Sequence, residues 1–265
     1  MEEKYKYPSL EIVEKTPKSG VWYVILNRPS RRNALSHDFF THFPKVLSAL
    51  DHDPHVNVIV LSAAGNHFCS GIDLSILGST ASNSASGESL RRQIMAMQDA
   101  ITALERCRKP VIASIHGACI GGGIDIVTAC DIRMCTKEAV FSVKEVDLAL
   151  AADLGSLQRL PLIVGFGNAM ELALTGRTFS GEEAKELGLV SRVFDSKDDL
   201  DQAVMDLAQG SFFPFNLQLP ISVTKCNTTH SFIHSISSNN LLIEVIDLKQ
   251  NLNLKVINRV VTLVI

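Results

Sequence analysis

Three consecutive glycines, Gly121, Gly122 and Gly123, follow the strand-like apolar run Val111–Ile115 and open a helical stretch that ends near Cys130. Without Cβ atoms such a run lets backbone approach a ligand or a packed helix closely. At a helix start its N–H groups can also face a phosphate or an oxyanion. No Gly-Lys-Ser/Thr follows, which excludes a Walker phosphate loop, and Gly117-Ala-Cys-Ile-Gly121 has the wrong spacing for a dinucleotide fingerprint. Taken alone, close helix packing accounts for the glycines as well as a site does.

Around this run, β-rich and amphipathic segments alternate. Leu10–Val13 and Val21–Leu26 flank the turn residues Pro17 to Gly20, a helix starts near Ser36 with a kink expected at Pro44, and Val56–Ser62 reads as a strand. A helix is predicted over Glu88–Cys107, and short strands over Ile132–Cys135 and Val140–Val143. Ser180-Gly-Glu-Glu183 fits a capping box that opens another helix. Strands interleaved with helices predict an α/β layered fold. The Ser/Gly-rich stretch 78–87 reads as a mobile surface loop. After about Gly210 Asn and Ser accumulate, and the chain ends in the uncharged run Val260-Val-Thr-Leu-Val-Ile265. Two regions are therefore expected: a layered domain over residues 1–210 and a divergent segment over 211–265.

With 265 residues and 46% hydrophobic side chains, the chain is long enough for one large core. A net charge of -3 and only a short basic stretch, Arg28 to Arg32, argue against a nucleic-acid partner. No apolar run reaches the roughly 18 residues of a membrane span, and the start lacks the apolar core of a secretory signal, so an intracellular protein is expected. The six cysteines show no CxxC pair, which favours reduced, buried thiols over a metal site or disulfides.

Three acidic residues sit in apolar sequence: Asp125, Glu145 and Asp153. A partly desolvated carboxyl has a raised pKa and can serve as a general acid or base near neutral pH. Each also has an ordinary explanation, such as a pairing of Asp125 with Arg133 or a surface pairing of Glu145. The turn Phe68-Cys-Ser-Gly-Ile-Asp-Leu74 follows the Val56–Ser62 strand, and Gly71 would let the Ser70 backbone approach a ligand. Paired with the glycine run, it makes a candidate two-donor oxyanion hole.

Four motifs in order carry a resemblance: Leu26-Asn-Arg-Pro-Ser-Arg-Arg-Asn-Ala-Leu35, Phe68–Leu74, Lys109-Pro-Val-Ile-Ala-Ser-Ile-His-Gly-Ala-Cys-Ile-Gly-Gly-Gly123 and Ala129-Cys-Asp-Ile-Arg133. Over about residues 9–210 the chain resembles the crotonase (enoyl-CoA hydratase/isomerase) family. The resemblance implies a spiral of ββα repeats, an acyl-CoA thioester substrate and no redox cofactor or metal. Its carbonyl would lie between the N–H groups of Ser70 and Gly122. Ser70, Gly71, Ile72, Asp73, Leu74 and Gly122 would contact substrate, with Asn33 to Leu35 nearby and Arg28, Arg31 and Arg32 as candidates for the coenzyme A phosphates. Hydratases of the family carry glutamates where this chain has Asp125 and Glu145, and they lack an acid at Asp153. The stretch 144–155 instead resembles the dienoyl-CoA isomerases, which implies a shift of double bonds in fatty-acid β-oxidation with Asp125, Glu145 and Asp153 as the catalytic set.

The end of the chain departs from the family pattern, which normally continues in helices that help trimer contacts and cover the site. A weakened trimer or hexamer, and aggregation through residues 260–265, are therefore expected. Peroxisomal location follows from the resemblance, although Leu263-Val-Ile265 is no Ser-Lys-Leu tripeptide. Two alternatives stand beside the isomerase: an enoyl-CoA hydratase, and a catalytically weak binding subunit.

Overall fold

Valine- and isoleucine-rich runs make the strands. In this computed structural model, which describes residues 6–76, 87–211, 223–225 and 232–234, the chain divides into two compact units, Met1–Pro214 and Phe215–Ile265. The first unit holds a seven-stranded sheet of β1 (Lys6–Tyr7), β2 (Leu10–Glu14), β3 (Val21–Leu26), β4 (Val58–Ala63), β5 (Val111–Ile115), β7 (Ile132–Thr136) and β10 (Arg192–Phe194), in that spatial order. The first two pairings are antiparallel and the remaining four parallel. Every residue of β4 and β5 is buried, which explains their continuous apolar sequence: strands covered on both faces do not alternate.

Helices cover both faces. On one side α1 (His37–His52) and α2 (Gly87–Arg106) contribute Phe39, Phe43, Leu47, Ile101 and Leu104 to the larger core. On the other, Leu200 and Val204 of α7 (Lys197–Asp206) pack on Tyr23, Val60, Ile112 and Met134. The Ser36 side chain caps α1 by accepting from the Phe39 N–H, and the helix continues through Pro44.

A second sheet positions the site. It joins β6 (Ala118–Ile120), β8 (Val140–Ser142) and β9 (Phe179–Ser180), with β6 and β8 parallel and β8 and β9 antiparallel. Strand β6 went unrecognised in the sequence because three residues between glycines are too short for any period to show. It leads into α3 (Gly122–Thr128), while α4 (Ser156–Val164), α5 (Phe166–Thr175) and α6 (Gly181–Glu186) follow β8.

Gly117, which starts this second sheet, has φ +57, and a Cβ there would overlap the Asn66 carbonyl oxygen. That neighbour is backbone and cannot swing away. Gly117→Ala is therefore expected to cost about 1–3 kcal/mol, a strained conformation plus a displaced loop, read as a lowered thermal midpoint with the denaturant slope unchanged.

Cys69, Cys107, Cys119, Cys130 and Cys135 are buried. Apart from Gly87, which opens α2, the stretch expected as a loop over 78–87 lies outside the described residues, as does Cys226. So does most of the segment after Gly210, where Val223–Lys225 pairs antiparallel with Phe232–His234.

Candidate active site

The parallel pairing of β6 with β8 carries two chain segments to the same place. Ile120 lies opposite Ser142, and the Gly121 N–H donates to the Ser142 carbonyl at 2.9 Å. Immediately beyond, one segment turns into α3 with Asp125 in its first turn, and the other into a short 3-10 turn that begins at Glu145. Gly121 has φ +51, and a Cβ on it would stand 3.2 Å from Glu145 Oε1. A side chain there would be strained by the backbone and would press on that carboxyl. The third acid arrives through a hydrogen bond: the Ser156 N–H donates to Asp125 Oδ1 at 2.6 Å, which ties the loop bearing Asp153 to α3. The expected Arg133 partner is engaged elsewhere, donating to the carbonyls of Val127, Cys130 and Leu189.

Burial sets the electrostatics. Asp125 is fully buried and its pKa is pushed up to about 6 by desolvation, against the Ser156 hydrogen bonding and the Arg159 charge, with Asp153 adding to the rise. Glu145 is pushed up to about 7, first by desolvation and then by the negative charges of Asp125 and Asp153. Asp153 is raised by desolvation. Among the described residues Glu145 Oε2 has no hydrogen-bond partner. The three carboxyls thus feel one another, and their protons belong to the cluster rather than to single residues.

A raised carboxyl holds its proton more tightly in the native state, so its stabilising effect is full below the unfolded pKa, near 4.5, and is lost as pH rises through about 7. Glu145→Gln removes that loss. It is expected to raise stability at pH 8 by on the order of 2 kcal/mol and to leave it unchanged at pH 4, measured by denaturant unfolding at both pH values.

The oxyanion hole needs one correction. Ser70 does not offer a free donor, because its N–H donates to the Arg32 carbonyl at 3.0 Å. The neighbouring Cys69 and Asp73 N–H groups are also engaged, by the Ala118 and Leu35 carbonyls, and that of Gly71 lies 3.4 Å from Cys69 Sγ. The Ile72 N–H meets no acceptor among the described residues, and neither does that of Gly122. The two groups adjoin: a Cβ on Gly122 would lie 3.6 Å from the Ile72 nitrogen. Both follow a glycine of positive φ, +94 at Gly71 and +51 at Gly121, a conformation that turns the next peptide out of the ladder.

The remaining substrate-binding candidates divide. Asp73 is held by Arg28 at 3.0 Å and by the Ser75 hydroxyl at 2.8 Å, and Ser75 holds its carboxyl below the usual range first, then Arg28. Arg28 also donates to the Ala34 carbonyl, so this pair braces the turn instead of facing solvent. The Asn33 side chain is likewise structural, bonded to Arg28, Ala64 and His67 backbone. Arg31 and Arg32 are exposed, and Leu74 is 59% exposed, leaving them open to a ligand. Among the described residues no group of three or more His, Cys, Asp or Glu side chains is disposed to hold a metal ion.

The parallel-stranded frame thus carries two N–H groups without an acceptor among the described residues and three carboxyls raised by desolvation. The chain belongs to the enoyl-CoA hydratase/isomerase family, whose model matches residues 16–212. Within it, the chain is 63% identical over 211 residues, 77% of its length and 76% of the relative's, to the peroxisomal Delta(3,5)-Delta(2,4)-dienoyl-CoA isomerase of Arabidopsis thaliana. It is 40% identical over 243 residues, 88% of its length and 72% of the relative's, to the mitochondrial Delta(3,5)-Delta(2,4)-dienoyl-CoA isomerase of Homo sapiens. The fold is that of solved relatives: an enoyl-CoA hydratase/isomerase from Xanthobacter autotrophicus Py2 superposes with TM-score 0.71 at 30% identity, covering 77% of this chain and 73% of that one. An enoyl-CoA hydratase from Mycobacterium smegmatis gives 0.69 at 31% identity, covering 76% and 75%.

Proposed function

We propose that this chain is a dienoyl-CoA isomerase that converts 3,5-dienoyl-CoA to 2,4-dienoyl-CoA by carboxylate proton transfer. The observation that carries the reading is the third carboxyl: Asp153 stands on a loop whose Ser156 N–H is bonded to Asp125, and burial raises it together with Asp125 and Glu145. Moving the diene removes a proton from C2 and returns one to C6. One carboxyl must be ionised to accept while another is protonated to donate. Glu145, raised to about 7, holds both forms near neutral pH, and desolvation raises Asp153 in the same direction. In this reading Glu145 and Asp153 are the transfer pair and Asp125 orients them, while the Ile72 and Gly122 N–H groups stabilise the dienolate oxygen between the two steps. The substrate contacts are Gly71, Ile72, Leu74 and Gly122, and no metal or redox cofactor takes part.

The catalytic function is assigned to the unit ending near residue 214. A peroxisomal setting is supported by the identity to the plant enzyme, whereas the human relative is named mitochondrial. No helix among the described residues is long and apolar enough to cross a membrane. Self-association as a trimer or hexamer belongs to the proposal, weakened by the composition change after Gly210. Light scattering is expected to show concentration-dependent dissociation, and a monodisperse hexamer at low micromolar concentration would refute the weakening.

The hydratase alternative predicts water addition. Purified protein is therefore offered 3,5-dienoyl-CoA and, separately, a 2-enoyl-CoA. Growth of the absorbance of a diene conjugated with the thioester carbonyl with the first, and no loss of enoyl absorbance with the second, is the expected pattern. The reverse pattern would make the chain a hydratase.

A further inference from the structure

The loop that bears Asp153 is held from behind by side chains outside the carboxylate set. Gln98 Nε2, on α2, donates to the Asp153 carbonyl at 2.8 Å, and Arg159 Nη1, on α4, donates to the Leu154 carbonyl at 3.2 Å. Arg159 is only 9% exposed and reaches across to α2, where Nη2 donates to Thr102 Oγ1 at 3.1 Å and to Glu105 Oε2 at 2.9 Å. Its Nε lies 2.9 Å from Glu105 Oε1 as an ion pair without hydrogen-bond alignment, so the Nη2 bonds carry the direction. Gly155, at φ +136, completes the arrangement: a Cβ there would fall on the guanidinium.

We infer that Arg159 is a positioning residue for the proton transfer, tying the Leu154 carbonyl to Glu105 and Thr102 of α2 and thereby setting where Asp153 and the Ser156 N–H stand against Asp125. The inference rests on the reading of Asp125, Glu145 and Asp153 as the working carboxyls. Burying a guanidinium is costly unless it is paired, and an apolar side chain would fill the same space without desolvating a charge. What the arginine adds is a fork that fixes two partners at once, and a positive charge whose field reaches fully buried Asp125. Those two contributions are separable. A lysine keeps the charge and loses the fork; a glutamine loses the charge.

The test measures kcat, KM and the pH dependence of kcat on 3,5-dienoyl-CoA for the full chain and three variants. Arg159→Gln is expected to lower kcat by about 10²-fold with KM within about threefold, the size of loss that a misplacement near 1 Å produces. The acidic limb of its pH profile should also move to higher pH, because losing the cation lifts the carboxyl cluster. Arg159→Lys should keep the limb in place and lose about tenfold in kcat, and Gln98→Met, which removes only the bond to the Asp153 carbonyl, about tenfold again by the same misplacement. A folded Arg159→Gln variant with wild-type kcat and an unmoved limb overturns the inference. If that variant does not fold, unchanged kcat in both Arg159→Lys and Gln98→Met overturns it instead. Failure of the underlying reading looks different: Asp153→Asn would then keep its activity whatever the Arg159 variants do.

Discussion

Asp153→Asn is expected to lower turnover of 3,5-dienoyl-CoA by about 10²–10⁴-fold with acyl-CoA binding nearly intact, and Glu145→Gln to do the same. Each change keeps the shape of the side chain and removes its capacity to take a proton. Neither breaks a hydrogen bond that holds the loop. The Gln98 bond goes to the Asp153 backbone carbonyl, and Glu145 Oε2 has no partner among the described residues. If the two carboxyls serve successive proton transfers on one path, the double variant should lose about as much as the worse single one, not the product of both. Diene absorbance gives the rates, and titration with a saturated acyl-CoA gives binding. Near-wild-type turnover in both variants would remove them from the mechanism.

How far the sequence carried depends on where each partner lies along the chain. Strands β3, β4 and β5 were legible because central parallel strands are written as unbroken apolar runs, whereas β6 exists only through its pairing with β8, some twenty residues on. At Ser180 the capping signal is half realised: Ser180 Oγ accepts from the Glu183 N–H at 3.2 Å, but the Glu183 carboxylate pairs with Arg177 at 2.7 Å instead of reaching back to the cap. A cation six residues upstream outcompetes the bond back to the cap. The burial of Asp125, Glu145 and Asp153 was legible because a carboxyl in an apolar run is conspicuous.

Arg159 was not found, since its meaning lies in Thr102 and Glu105, 57 and 54 residues away, and an arginine beside a helix start looks like surface. Ser70 was chosen over Ile72 for the same kind of reason. Which of two neighbouring N–H groups is free depends on the Arg32 carbonyl, and residue types carry no record of a backbone acceptor.

The Ile72 and Gly122 pair can be tested at the donor itself, and Gly122→Pro is expected to lower kcat by about 10²–10³-fold, near 3–4 kcal/mol, in a protein that still folds. Proline at most helix positions removes a needed bond. Gly122, however, is the first residue of α3, where the N–H has no partner among the described residues and proline is well accommodated. What the substitution deletes is the donor proposed for the dienolate oxygen. It also adds a Cβ, which would stand 2.8 Å from Leu35 Cδ1, the movable end of a side chain. Gly122→Ala isolates that second effect, because alanine brings the same Cβ and keeps the N–H. The alanine variant should therefore lose much less than the proline variant, with circular dichroism and thermal midpoint near wild type for both. Equal losses in the two would assign the effect to crowding against Leu35 and take Gly122 out of the oxyanion hole; a folded, fully active proline variant would do so outright.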